Sequence, residues 1–246
     1  MRATILLLTI VLCAAPGEYS IVEQSGRFWL SSSNGQLSFY VLESCREVRL
    51  PEAFDPFATA IKNVPQGPDP VCWTPPADTS HWVAAIRKAS SDSEGKQMYV
   101  SFLKERYGYN IGRVNQAYGL EASAFTDLAE SDFRTLDPRR EAVVNDDRDF
   151  GQILVIQSAG MLRRHISRST LLLFRATDSI LAPYANALIV DQTDREWPNV
   201  ALVIRVRHPG KDLAERIARN PRVIGVEGPA SFAGMVKERI PQPAIP

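Results

Sequence analysis

The segment Val223-Ile224-Gly225-Val226-Glu227-Gly228 anchors the prediction of the fold. It is a short apolar run that ends in a carboxylate and a glycine. Three similar apolar runs precede it, at residues 171–174, 187–190 and 201–204. Such continuous runs are typical of strands buried on both faces, as in parallel sheets covered by helices. With a helix predicted over 212–220, between the last two runs, they indicate an α/β fold.

The composition excludes several classes of protein. The chain has 246 residues, 28 basic and 28 acidic side chains, and 45% hydrophobic residues, which is ordinary for a globular domain. The zero net charge argues against nucleic-acid binding, which needs a basic excess. Only three cysteines and three histidines occur, without a CxxC, an HExxH or a glycine-rich phosphate loop. We therefore expect no metal and no cofactor.

Residues 1–17 have the pattern of a secretory signal. A positive residue, Arg2, precedes an apolar run that is shorter than the about 20 residues needed to cross a bilayer, and Gly17 suits cleavage. We expect a secreted or periplasmic protein, with no membrane attachment after cleavage. The mature chain keeps Cys45 and Cys72, and an even pair in an exported chain suggests a disulfide. Two buried thiols are the alternative.

A hairpin is predicted next, within an N-terminal segment that spans 18–48. Strands at 26–30 and 36–42 flank Asn34-Gly35, a dipeptide that tolerates the positive φ angles of tight hairpin turns. Residues 49–80 contain seven prolines. Because proline breaks both helices and strands, little regular structure is expected there beyond a short helix at 56–63.

Helices dominate the middle of the chain. Apolar residues recur at helical spacing, Asn110 is placed to cap a short helix and Gly119 to end it. The predicted helices span 81–90, 95–107, 110–118 and 146–166. The whole stretch 49–240 is predicted as one domain, followed by a loose tail at 241–246.

Two carboxylates stand where α/β folds bind ligands. Glu227 directly follows the last predicted strand, and Asp191 directly follows strand 187–190. The carboxyl ends of parallel strands meet at one edge of the sheet, where active sites are built. Trp197 would add an aromatic face, which a sugar site uses for stacking. The alternatives are a loop acid for Glu227 and a half-buried aromatic for Trp197. No GxSxG motif supports a serine nucleophile.

Several segments resemble secreted TIM-barrel glycoside hydrolases of the agarase and β-galactosidase type, a retaining clan with two catalytic glutamates. The stretch VSFLKERYGYNIGRVNQAY (100–118) is similar to their FLRERYG-x-I-x-x-LN-x-AW helix pair. GRFWL (26–30) resembles their G-R-W-W-L lead-in, and PEAFDP (51–56) resembles their P-D-V-F-D-P segment. NPRVIGVEG (220–228) resembles KPVLITEFG, whose glutamate is the nucleophile. The resemblance therefore places the nucleophile on Glu227.

The resemblance fails at the acid/base glutamate. In the family, Asp-Asn-Glu ends a strand before a helix that starts near a tryptophan, here Trp82. Asp78 matches the aspartate, but Thr79 and Ser80 replace the asparagine and the glutamate. A hydroxyl cannot donate the proton that a carboxylic acid of raised pKa supplies. The stretch that carries the family's first barrel strands is also reduced to residues 42–49.

The resemblance thus implies an incomplete or rearranged (β/α) barrel with a short N-terminal β-hairpin. The first hypothesis is a secreted glycosidase-like protein with lost or weak catalysis and residual carbohydrate binding, with Asp191, Trp197 and Trp82 as sugar contacts. The second is an active retaining hydrolase with Glu227 as nucleophile and Asp78 as substitute acid. The third is a non-catalytic structural or interaction domain. Exposed strand edges in an open barrel also predict a homodimer.

Overall fold

We analysed a computed structural model of the chain. The structure describes residues 19–32, 34–51, 53–57, 69–130, 133, 136–168, 170–176, 179–191, 197 and 199–241. The predicted signal at 1–17, nearly all of the predicted tail, and most of the helix predicted at 56–63 lie outside these residues. No helix in the described part of the chain is long and apolar enough to span a membrane.

The strands form two sheets. In the described residues they are β1 Ser20–Gln24, β2 Arg27–Ser31, β3 Leu37–Ser38, β4 Tyr40–Leu42, β5 Arg46–Val48, β6 Val71–Trp73, β7 Leu172–Arg175, β8 Ala187–Val190, β9 Ala201–Arg205 and β10 Val223–Glu227. The first three make a small antiparallel sheet. The other seven make one parallel sheet in the order β4-β10-β9-β8-β7-β6-β5. The α/β prediction is confirmed.

The two edge strands of the large sheet are consecutive in the chain. Laid flat, seven strands would place β4 and β5 about 29 Å apart, at about 4.8 Å for each neighbouring pair. Yet Leu42 ends β4 and Arg46 begins β5, and a link of this length spans at most about 14 Å. The sheet must therefore curl, and it forms an incomplete barrel. The dimer predicted through exposed edges stays a prediction and concerns these two strands.

Alternate residues of the curled sheet face its inside. Leu42, Cys72, Leu173, Ile189 and Val203 belong to one buried cluster, as the two-residue period of a strand requires. This cluster also includes residues of β1 and β2, so the small sheet packs against the amino-terminal end of the barrel.

Two contacts fix the small sheet there. The backbone N–H of Phe28 donates to the carbonyl of Pro221 at 2.8 Å. The guanidinium of Arg27 donates to the carbonyl of Ala218 at 2.7 Å. Both acceptors lie next to β10 or in the helix before it, so the N-terminal hairpin is held by the C-terminal part of the chain.

The helices cover the outside of the sheet. They are α1 Ser80–Lys88, α2 Glu94–Arg106, α3 Ile111–Tyr118, α4 Phe125–Glu130, α5 Glu141–His165, α6 Lys211–Arg219 and α7 Ala230–Lys237. The predicted ends of α3 are confirmed. The Asn110 side chain accepts from the N–H of Arg113 at 3.2 Å, and Gly119 ends the helix at a φ of 69°. Outward-facing residues such as Trp73, Phe174 and Ile204 join these helices in the larger core.

Helix α5 is anchored by a buried carboxylate. The hydroxyls of Tyr107 and Tyr118 donate to Asp146 Oδ2 at 2.8 and 2.9 Å, and Arg106 pairs with its other oxygen. Burial and the hydrogen bond to Asp146 raise the pKa of Tyr107 to about 12, so the phenol stays a donor. The prediction that α5 begins at Asp146 is wrong. The helix begins at Glu141, and Asp146 binds the neighbouring helices from within α5.

The structure also differs from the predicted strands. The single strand predicted at 36–42 breaks at Phe39, where the chain passes from the small sheet to the large one. Residues 40–48, assigned above to the N-terminal segment, supply β4 and β5 of the barrel. The proline-rich stretch is not devoid of regular structure, because β6 is an interior strand of the large sheet. Helices α4 and α7 were not predicted.

The predicted disulfide is present between Cys45 and Cys72, and the alternative of two free thiols is wrong. It ties the link between β4 and β5 to the neighbouring strand β6.

We predict that the double variant Cys45→Ala/Cys72→Ala loses about 3 kcal/mol of unfolding free energy, because the unfolded chain regains the entropy of the closed loop. Thermal unfolding with and without dithiothreitol measures this. The reductant should destabilise the wild type and leave the variant unchanged. Equal stabilities would contradict the prediction.

A second prediction concerns the pairing of β4 with β10. A Cβ on Gly225 would lie 2.5 Å from the carbonyl oxygen of Tyr40. Gly225→Ala should therefore cost about 2 kcal/mol or more through displaced backbone. The matched control is Gly234→Ala in α7, where a Cβ meets open space and where alanine favours the helix by up to about 1 kcal/mol. Urea unfolding that ranks the two variants equally would show that this close approach is unimportant.

Candidate functional site

The Glu227 side chain lies at the carboxyl end of the barrel between two arginines. Arg175, from the end of β7, donates through both terminal nitrogens to the two Glu227 oxygens at 2.7 Å each. Arg205, from the end of β9, donates through Nε to Glu227 Oε2 at 2.8 Å. Three charge-assisted hydrogen bonds thus engage both oxygens of the carboxylate.

Two more carboxylates share these arginines. Asp191 Oδ1 lies 3.8 Å from Nε of Arg205, and Asp191 Oδ2 accepts from Arg207 at 2.8 Å. Glu47, on β5, lies 3.8 Å from Nε of Arg175. Acidic and basic side chains therefore alternate around this end of the barrel. We call Glu47, Arg175, Asp191, Arg205, Arg207 and Glu227 the ionic ring.

The two arginines determine the protonation state of Glu227. Burial by itself would raise the pKa of Glu227, but the hydrogen bonds from Arg175 and Arg205 outweigh it, and the pKa lies below its ordinary value. The carboxylate is therefore ionised at neutral pH. An ionised carboxylate can act as a nucleophile or a charge partner, and it cannot act as a proton donor.

A cleft of about 900 Å³ opens beside the ionic ring. Its base includes Arg175, Arg205 and Asp191, and one of its walls is helix α5. The cleft is lined by Thr74, Pro75, Pro76, Ala77, Thr79, Arg148, Gly151, Gln152, Val155, Arg175, Ala176, Ile180, Leu181, Ile189, Val190, Asp191, Trp197 and Arg205. Its volume is within the range of small-molecule sites.

The structure brings together some of the predicted site residues. Asp191 and Glu227 contact the same arginine, because Arg205 ends β9, the strand that lies between β8 and β10. Asp191 and Trp197 both line the cleft. Trp197 is only 6% exposed, so most of its ring is inside the protein. Trp197 is thus more deeply buried than the partly buried aromatic considered above.

Asp78 and Trp82 lie at a second, smaller cavity of about 480 Å³. Trp82 is 4% exposed, and its indole N–H donates to the carbonyl of Pro51 at 3.2 Å. Asp78 is exposed, and its Oδ1 accepts from the N–H of Ser80 at the start of α1 at 2.8 Å. That hydrogen bond lowers the pKa of Asp78. A catalytic acid needs a raised pKa instead.

Sequence reasoning missed the cations of the ionic ring. Arg175 and Arg205 directly follow the predicted strands 171–174 and 201–204, in the same relation as Glu227 and Asp191 to theirs. The position directly after a predicted strand is therefore the same sequence signal for these two arginines as for the two acids. Glu47 lacked any signal, because β5 is three residues long. Within the described residues, no group of three or more histidine, cysteine or acidic side chains is arranged to hold a metal ion.

Comparison with known proteins gives partial similarities. No protein-family profile matches the chain, and no curated protein matches it. Solved structures do match: an exo-beta-agarase at 15% identity and a TM-score of 0.41, PfGH50B at 12% and 0.43, and the agarase AgWH50C at 14% and 0.42. Each match covers 64% of this chain but 28%, 31% and 30% of those chains, respectively. The chain thus spans less than a third of each structure.

The ionic ring predicts a pH-dependent contribution to stability. The folded pKa of Glu227 is lowered, so its ion pairs stabilise the protein above the ordinary glutamate pKa of about 4.3, and this stabilisation is lost as the pH falls through the folded pKa. Glu227→Gln should therefore cost about 1.5–3 kcal/mol at pH 7. The deficit should shrink as the solution is acidified below that ordinary pKa. Urea titrations from pH 7 to pH 3 measure it.

The control for this prediction is Glu238→Gln, at an exposed position just after α7. It should match the wild type throughout the pH range. A Glu227→Gln deficit that is constant with pH would show that the arginines do not set the pKa of this carboxylate.

Proposed function

We propose that this protein is a secreted, glycosidase-like protein that binds carbohydrate without hydrolysing it. The observation that carries the proposal is the engagement of both Glu227 oxygens by Arg175 and Arg205. Glu227 is the residue that the family resemblance places in the nucleophile role. Here its carboxylate is bound within the ionic ring, and it does not line the cleft beside it.

The placement of the acids also argues against hydrolysis. Retaining glycosidases use two carboxyl groups about 5–5.5 Å apart, one as nucleophile and one as proton donor. Asp78, the substitute acid considered above, lines the smaller cavity and has a lowered pKa. Asp191 is closer to Glu227, but it is paired with Arg207 at 2.8 Å. Both Asp191 oxygens therefore lie near guanidinium groups, those of Arg205 and Arg207.

The cleft supports the binding half of the proposal. It combines polar side chains that can hydrogen-bond hydroxyls, such as Gln152 and Thr74, with apolar residues such as Ile180. Gln152, Thr74 and Ile180 are exposed. Sugar rings present hydroxyls at their edges and C–H groups on their faces, and a site with both kinds of contact suits them.

One observation favours the second candidate, an active retaining hydrolase. Glu227 is ionised and held in a fixed orientation at the end of a parallel strand, as a nucleophile must be. In that candidate the arginines orient the nucleophile, and another acid protonates the leaving group.

Turnover of a panel of 4-nitrophenyl glycosides tests the two candidates against each other. We predict that the wild type releases nitrophenol at the buffer rate and that Glu227→Gln does not change this rate, because arginines bind both Glu227 oxygens and Glu227 is not among the described residues that line the cleft. Binding of oligosaccharides to the wild type is measured in parallel on a glycan array.

Two other results would overturn the proposal. Turnover that Glu227→Ala abolishes would establish the active hydrolase. Under that candidate, Asp78→Asn should lose activity mainly on glycosides with poor leaving groups, which depend most on protonation. An array on which no saccharide binds would leave a structural or interaction domain.

A further inference from the structure

Among the described residues that line the large cleft, guanidinium groups outnumber carboxylates. Arg148, Arg175 and Arg205 line it, and Asp191 is the single carboxylate among its described lining residues. Asp191 is also bound by Arg207. The negative charges that balance Arg175, on Glu227 and Glu47, lie outside the lining of the cleft. A ligand that contacts the described lining residues therefore meets more guanidinium groups than carboxylates.

Arg148 is the least compensated of these cations. Its side chain is 65% exposed, and Nε lies 3.6 Å from an oxygen of the adjacent Asp149. That carboxylate is already engaged by Arg106 at 2.8 Å through its other oxygen. Exposed pairs at such distances contribute little. Arg148 can therefore turn its planar, five-donor guanidinium toward a ligand at small cost.

Arg205 adds a second donor group at the base of the cleft. Its Nε binds Glu227, and its terminal nitrogens have no hydrogen-bond partner within the part of the chain that the structure describes. Paired N–H groups of a guanidinium match the two oxygens of a carboxylate or a sulfate ester. The apolar residues Val155 and Ile180 line the same cleft and would contact a ring face.

From these features we infer that the cleft selects saccharides that carry an anionic group, a carboxylate or a sulfate ester, with the anion bound by Arg148 and Arg205. This inference rests on the proposed carbohydrate binding and adds the charge class of the ligand. Glu227 then has a positioning role. Its ion pair holds Nε of Arg205, and the two terminal nitrogens of Arg205 are the atoms that would bind the anion.

Two matched ligand pairs test the inference by titration calorimetry. One pair is an oligogalacturonate and its methyl ester. The other pair is a sulfated galactan oligosaccharide and its desulfated form. Within at least one pair, the anionic member should bind at least tenfold more tightly. Its affinity should fall as salt is raised from 50 to 500 mM, because salt screens exposed charges. The pair that shows the difference identifies the anion.

Arg148→Gln should weaken binding of the anionic member about tenfold and leave the neutral member unchanged, because one charge-assisted hydrogen bond is lost. Arg164→Gln is the matched control. It is the same substitution at an exposed position of the same helix, about 24 Å further along at about 1.5 Å per residue. It should behave as the wild type.

The outcomes separate this inference from the proposed function. Equal binding of charged and neutral members, or equal effects of Arg148→Gln and Arg164→Gln, would overturn the inference and leave carbohydrate binding intact. Absence of binding by all four ligands, together with an empty glycan array, would overturn both. Tighter binding of the anionic member that Arg148→Gln does not weaken would refute the assignment of the site to this cleft.

Discussion

Three residues, Glu43 to Cys45, link strands that stand at opposite edges of a seven-stranded parallel sheet. A parallel connection within a flat sheet needs a crossover of a dozen residues or more. The short link is compatible only with a sheet that curls until its edges approach each other. The inside of the barrel, the converging strand ends and the cleft beside them all follow from this constraint. The disulfide from Cys45 to β6 strengthens it at the point where the chain crosses from one edge to the other.

Curling also explains why the ionic ring forms. Strand residues alternate between the two faces of a sheet, so the inward positions at the carboxyl ends of β7, β8, β9 and β10 converge on a narrow space. Arg175, Arg205 and Glu227 occupy such positions and are partly buried. A charge removed from water in this way is costly unless it is paired. The arginines and acids therefore compensate each other, and Glu227 shares its charge with Arg175 and Arg205.

Much of the architecture follows from local sequence patterns. The apolar runs of the second half predict β7 to β10 to within a residue or two at each end, because strands buried on both faces need continuous apolar residues. Strands β5 and β6 could not be predicted in this way, and β4 is predicted only as the end of the longer strand at 36–42. Each has only three residues, too few to show a period. The proline-rich surroundings of β6 also point to loop, and tertiary pairing overrides that signal.

The candidate site, too, could be predicted from the sequence only in part. Convergence of Asp191 and Glu227 follows from their place at the carboxyl ends of parallel strands, and both contact Arg205 on the strand between them. The division between the two cavities could not be predicted, because it depends on how the segment from Thr74 to Asp78 crosses the end of the barrel. Nor does sequence position reveal that Trp82 is held inside by Pro51.

The pairing of β4 with β10 restricts the order in which the parts of the chain can fold. Arg27 binds carbonyls that are 191 and 196 residues further along the chain. Strand β4 pairs with β10, which is also far along the chain. Contacts so distant in sequence carry a large loop-closure entropy and slow the search for the native topology. Before β10 has been synthesised, the N-terminal hairpin and strand β4 lack the residues that they contact in the folded protein. The barrel can therefore close only after strand β10 is present, because β4 at its edge pairs with β10.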